Sequence, residues 1–244
     1  MRWRLCALLC LSLLAVIAAA CANKAVAPAR DLTPLPTDTE TVGIVVEDIV
    51  LTGRLFGGEH DTVVILSHMR PNDQTAWFPF AEELASKGYA ALTFNFRGYS
   101  GSGGHQDYDK LDDDLAAVIR YMRDRGKRRI FLVGVSMGAT TSLVVGERER
   151  VAGIVAISPP AKFDSQDALK AAPNVTAAKL FIASEDDAPA LDFDKLVAAA
   201  AEPKEEESYP GNAHGTDLLD PSKNPDAALV EERILSFLQE QGGP

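Results

Sequence analysis

From residue 41 onward the apolar positions switch back and forth between two spacings. Val42–Val46 and Ile49–Phe56 read as two strands joined at Glu47-Asp48, and Val63–Leu66 as a short buried strand. Trp77–Lys87 then shows helical spacing through Phe80 and Leu84 and stops at Gly88, before a strand at Ala90–Phe94. Leu111–Arg125 predicts a helix with Leu111, Leu115, Val118, Ile119 and Met122 on one face, ended by Gly126. Three more buried-type strands follow at Ile130–Val135, Val151–Ile157 and Lys179–Ala183, with a helix over Gly138–Arg148 between the first two. Glu205–Tyr209 reads as a polar strand at a sheet edge. Leu229–Gln239 closes the chain as a helix striped by Leu229, Ile234, Leu235 and Leu238.

Continuous apolar runs separated by helices mean βα units, and so a parallel sheet covered on both faces. The pattern predicts one α/β domain over residues 42–244, a single mostly parallel sheet flanked by helices. Only about twenty residues, Ser158–Ala178, separate two of its strands at the place where a cap domain could be inserted. That is too few for a large helical lid, so the expectation is an open site.

The first residues have a different character. Arg2 and Arg4 precede an uncharged run, Leu5–Ala20, which ends in Ala18-Ala19-Ala20-Cys21. A basic start, an apolar stretch and small residues at its end form a secretory signal over residues 1–20. The run is shorter than the ~20 apolar residues of a membrane span. Cys21 directly after the small residues resembles the lipobox of bacterial lipoproteins, with Ala18 where Leu is usual. The resemblance implies lipidation of Cys21, a tether over residues 21–41 bearing Pro28, Pro34 and Pro36, and anchorage in a bacterial cell envelope. Ala22 after the Cys resembles lipoproteins sent to the outer membrane. Cleavage without lipid would instead give a soluble secreted protein.

Composition narrows the chemistry. The three Cys are Cys6, Cys10 and Cys21, so the folded body has no thiol for a bridge, a zinc cluster or a nucleophile. Loss of Arg2 and Arg4 with the signal takes 24 basic residues to 22 against 35 acidic ones, and the net charge from −11 to −13. Such a surface repels nucleic acid.

At the end of one buried strand stands Gly134-Val135-Ser136-Met137-Gly138, with a helix following. A Ser on a sharp strand-to-helix turn projects its hydroxyl at the top of a sheet, and the Met137 amide at the helix start points the same way. The alternative is a Ser that merely caps the helix. A hydroxyl needs a base to become a nucleophile. Of the four His, only His214 follows all the strands, whereas His60 and His105 sit in polar loops and His68 precedes the Ser. An acid that orients the imidazole should follow the strand Lys179–Ala183, where Glu185, Asp186 and Asp187 stand. Spacing leaves Asp186 and Asp187 equivalent.

These residues together resemble the α/β-hydrolase family of serine esterases, including its dienelactone-hydrolase-like members, over roughly residues 42–241. The resemblance implies a catalytic triad of Ser136, Asp187 and His214, with Asp187 chosen as the third residue beyond Ser184. It also implies an oxyanion hole from the amides of Met137 and Arg70, with Met69 where the family carries Gly. "FNFRGYSGSGG" (94–104) resembles a family loop that either borders the site or shapes a turn. Asp112–Asp114 suit the start of a helix dipole and carry no assigned chemistry. The expected activity is hydrolysis of carboxylic esters on a small acyl substrate, through an acyl-enzyme on Ser136, with neither metal nor cofactor. Thioesters and amides are the alternatives within the fold, and a non-catalytic envelope binding protein the alternative outside it.

Overall fold

The computed structural model describes residues 39–190 and 192–244. The signal, Cys21 and most of the tether lie outside the described residues. The hairpin of β1 (Thr39–Val46) and β2 (Ile49–Phe56) is antiparallel, and β2 runs antiparallel to β4 (Ala90–Phe94). Beyond β4 all pairings are parallel, through β3 (Thr62–Ser67), β5 (Arg129–Val135), β6 (Gly153–Ile157), β9 (Ala178–Ser184) and β10 (Lys204–Tyr209). The order across the sheet is β1-β2-β4-β3-β5-β6-β9-β10. Two small strands, β7 (Lys162–Phe163) and β8 (Gln166–Asp167), form a separate hairpin after β6.

Two apolar cores, one on each face, explain the unbroken hydrophobic runs. Ile65, Leu92, Leu132, Ile154 and Phe181 face one core, with α2 (Leu111–Asp124) and α3 (Met137–Gly146) laid over it. Their neighbours Val64, Ala91, Phe131, Val155, Leu180 and Ile182 face the other, under α1 (Phe78–Ser86) and α6 (Ala227–Glu240). A central strand sandwiched this way has no solvent face, so period-two polarity vanishes. At the edge, β10 carries Glu205, Glu206 and Glu207, charges that discourage pairing with another chain.

The structure corrects two readings. Leu229 faces solvent, and the buried stripe of α6 runs through Ala227, Val230, Ile234, Phe237 and Leu238, while Leu235 is half-buried. The expected stripe was out of phase because Val230 and Phe237 hold the true 3.6-residue face. The pattern also missed the short helices α4 (Ala168–Ala171) and α5 (Phe193–Ala199). In α5 only Phe193, Leu196 and Val197 turn inward, too few to register as a period. The segment between β6 and β9 holds the β7–β8 hairpin, α4 and a single 3₁₀ turn (Ala172–Asn174), so it forms no large cap.

Candidate active site

Ser136 occupies the turn between β5 and α3 with φ 49° and ψ −116°. A non-glycine residue held there stores roughly 1–3 kcal/mol of backbone strain. The surroundings fix it: the Ser136 N–H donates to Ile157 O at 2.8 Å, and Ser136 O accepts from Thr140 N at 3.0 Å. The flanking glycines let strand and helix close up. A Cβ on Gly134 would stand 2.4 Å from Gly138 O, and one on Gly138 would stand 2.4 Å from Ser67 O. The Ser136 side chain makes no capping hydrogen bond to α3. The hydroxyl is therefore not used to finish the helix.

Asp187 lies three residues past the end of β9, its amide bonded back to Ser184 O at 3.2 Å. Its side chain is fully buried, and Oδ1 accepts from His214 Nδ1 at 2.8 Å. Asp186 and Glu185 are exposed. Their amides donate to Gly211 O and Tyr209 O, each at 2.9 Å, which ties the acid loop to the strand end that delivers His214. Ser184 Oγ adds a bond to Ala213 O at 2.7 Å. Asp187 Oδ2 is buried with no hydrogen-bond partner among the described residues. Among those residues the His214 ring has one hydrogen bond, to Asp187, and none to the Ser136 hydroxyl. Catalytic contacts often tighten only when substrate is bound.

The His214 loop abuts the elbow through Gly215. Its N–H donates to Ser158 Oγ at 2.9 Å. With φ at +59°, a Cβ there would fall 2.3 Å from Met69 Sδ and 3.5 Å from Val135 Cβ. The buried Met69 thus packs against the His214 loop at Gly215.

Arg70 lies in the loop after β3 and Met137 opens α3 just after β5, and among the described residues neither amide is spent on another acceptor. The segment is held by His68, which sequence reasoning passed over. His68 is completely buried. Its Nε2 accepts from the Phe96 N–H at 3.2 Å, so the proton sits on Nδ1 and is donated to Met69 O at 3.0 Å. Burial foremost pushes its pKa down to about 4, which keeps the ring neutral. The 94–104 loop borders the site: the Tyr99 hydroxyl lies 3.9 Å from Met137 Sδ, and its ring packs 4.6 Å from that of His68. Asp114, in the first turn of α2 as expected, is buried and receives three hydrogen bonds from Arg97.

Ser136, Asp187 and His214 follow the carboxyl ends of the parallel strands β5, β9 and β10, on the edge where open α/β sheets carry their sites. Sheet order, strained elbow and acid–histidine pair define an α/β-hydrolase fold. The profile of a hydrolase family described as serine aminopeptidase, S33, matches residues 58–187, more than half of the chain, and the chain belongs to that family. An uncharacterized protein of Mycobacterium tuberculosis (strain ATCC 25618 / H37Rv) is 28% identical, over 76% of this chain and 76% of its own length. An esterase of Pyrococcus furiosus superposes with a TM-score of 0.73 at 20% identity, covering 84% of this chain and 92% of that one. Est1E of Butyrivibrio proteoclasticus, solved with ferulic acid bound, gives 0.69 at 17% identity, over 82% and 98%.

Proposed function

We propose that the protein is a serine hydrolase that cleaves carboxylic esters through an acyl-enzyme on Ser136. The observation that carries this reading is the buried Asp187–His214 hydrogen bond, beside a serine held on a strained turn and free of any capping role. Asp187 holds the imidazole with its proton on Nδ1, leaving Nε2 to take the Ser136 proton as Oγ attacks the carbonyl. The amides of Met137 and Arg70 receive the oxyanion, His214 returns the proton to the leaving alcohol, and water activated by His214 releases the acid. The structural neighbours that are esterases support an ester substrate.

The test is labelling of the purified body by a fluorophosphonate probe together with hydrolysis of a short p-nitrophenyl ester. Both should vanish in Ser136→Ala. A variant that keeps either one would overturn the assignment.

The reading extends to location: an exported enzyme held in the cell envelope by lipid on Cys21. Cys21→Ser should move the protein out of the detergent phase or block its processing. Wild-type protein recovered in the soluble exported fraction, starting at Cys21 without lipid mass, would mean an unanchored secreted enzyme.

A further inference from the structure

Four of the described residues other than glycine have a positive φ. Glu47 and Asp164 are exposed at the turns of the β1–β2 and β7–β8 hairpins, where such a backbone is ordinary. Ser136 and Ser158 are instead buried just past the carboxyl ends of the neighbouring parallel strands β5 and β6, with φ of 49° and 52°. Glycine would adopt the Ser158 backbone without strain, so a side chain kept there calls for a reason. The Ser158 N–H donates to Ile182 O at 2.7 Å, and Oγ accepts from Gly215 N at 2.9 Å. The hydroxyl thus reaches the residue directly after His214.

A second serine reaches the residue directly before it. Ser184 ends β9, and its Oγ donates to Ala213 O at 2.7 Å. Its carbonyl accepts from the Asp187 N–H at 3.2 Å, so this one residue holds both the acid's loop and the base's loop. The two hydroxyls grip different peptide planes. The Ala213 carbonyl belongs to the planar unit whose orientation sets φ of His214, and the Gly215 amide to the unit that sets ψ. His214 is held extended between them, at φ −119° and ψ 132°. Asp187 Oδ1, 2.8 Å from Nδ1, then fixes the ring on that backbone.

Resting on the esterase reading, we propose that Ser158 and Ser184 are positioning residues for hydrolysis: their hydroxyls clamp the peptides on either side of His214 and so aim its Nε2 at the Ser136 hydroxyl. Both act through the imidazole rather than on the substrate.

The kinetic arm compares Ser158→Ala and Ser184→Ala with the wild type on p-nitrophenyl butyrate. Each should lower kcat by about 10- to 100-fold and leave KM near the wild-type value, because the ring is misplaced while the acyl pocket is untouched. Ser184→Thr keeps a hydroxyl at the strand end and should recover most of kcat. Ser158→Gly removes hydroxyl and strain together, so it should melt above Ser158→Ala yet hydrolyse no faster. The spectroscopic arm needs no substrate. The proton resonance of His214 Nδ1–H, identified by its loss in Asp187→Asn, should broaden or move in both Ala variants.

Wild-type turnover with kcat and the resonance unchanged in the Ala variants, whatever their melting temperatures, overturns the clamp and leaves the esterase reading; Ser158 then merely caps the 3₁₀ helix Gly215–Leu219. A Ser184→Thr variant no faster than Ser184→Ala, or a Ser158→Gly variant as fast as the wild type, also overturns it. A resonance disturbed in both Ala variants, with no ester turned over by the wild type, supports the clamp and overturns the esterase reading.

Discussion

Asp187 presents one carboxylate oxygen to His214 Nδ1 at 2.8 Å and buries the other without a partner among the described residues, while Asp186, one residue before it, is exposed to solvent. That difference makes two chemically similar neighbours unequal. Asp187→Asn should lower kcat by about 10⁴-fold, since an amide neither sets the tautomer nor offsets the imidazolium charge. Asp186→Asn should leave kcat near the wild-type value. Steady-state kinetics on one ester, with both variants side by side, checks the ranking, and the reverse order would move the acid to Asp186.

The elbow trades stability for exposure of its hydroxyl. Glycine accepts φ near 49° without strain, so Ser136→Gly should abolish hydrolysis yet stabilise the fold by about 1 kcal/mol. In a body of this size that is a rise of roughly 2–4 °C in melting temperature. Ser136→Ala keeps the strain and should melt close to the wild type. A Gly variant that melts below the Ala variant would show that the turn is relaxed.

Legibility in the sequence followed burial. The central strands announced themselves because each lies between two apolar cores, so nearly every residue is hydrophobic. The elbow was visible because its glycines answer a local crowding problem. His68 was invisible: what defines it are Phe96 and Tyr99, some thirty residues on. The triple aspartate does open α2 as read, but the burial of its last member was invisible for the same reason. Asp112 and Asp113 reach surface cations, as a helix start predicts, but Asp114 turns inward to an arginine that nothing in its own helix reveals. Side chains that act across a long loop leave no periodic trace.

His68 gives a pH dependence whose sign can be worked out. The unfolded chain titrates near 6.5, and the folded ring near 4 because burial opposes its charge. Above pH 6.5 both states are neutral and its contribution is fully present. Between 6.5 and about 4 only the unfolded chain takes the proton, so stability falls across that window and levels off below it. The loss is on the order of 3 kcal/mol. Urea midpoints at pH 7 and pH 4.5 should differ more in the wild type than in His68→Gln, since the carboxylates common to both proteins cancel. Equal differences would assign acid sensitivity elsewhere.

The Arg97–Asp114 pair ties the loop that carries Tyr99 to the start of α2. Asp114 is fully buried and takes the Arg97 backbone N–H at 2.9 Å, Nε at 2.9 Å and Nη2 at 2.6 Å. Asp114→Asn leaves the buried Arg97 charge with only its longer contact to the half-exposed Glu47, so it should destabilise by about 3 kcal/mol. Removing both charges together avoids that penalty. Arg97→Met with Asp114→Leu should therefore cost less than Asp114→Asn alone, although Glu47 loses its contact with Arg97 at 3.4 Å. Chemical unfolding of the two proteins gives the comparison. A double variant less stable than the single would mean that the pair contributes net attraction rather than mutual neutralisation, and that the site's Tyr99 wall depends on the charges themselves.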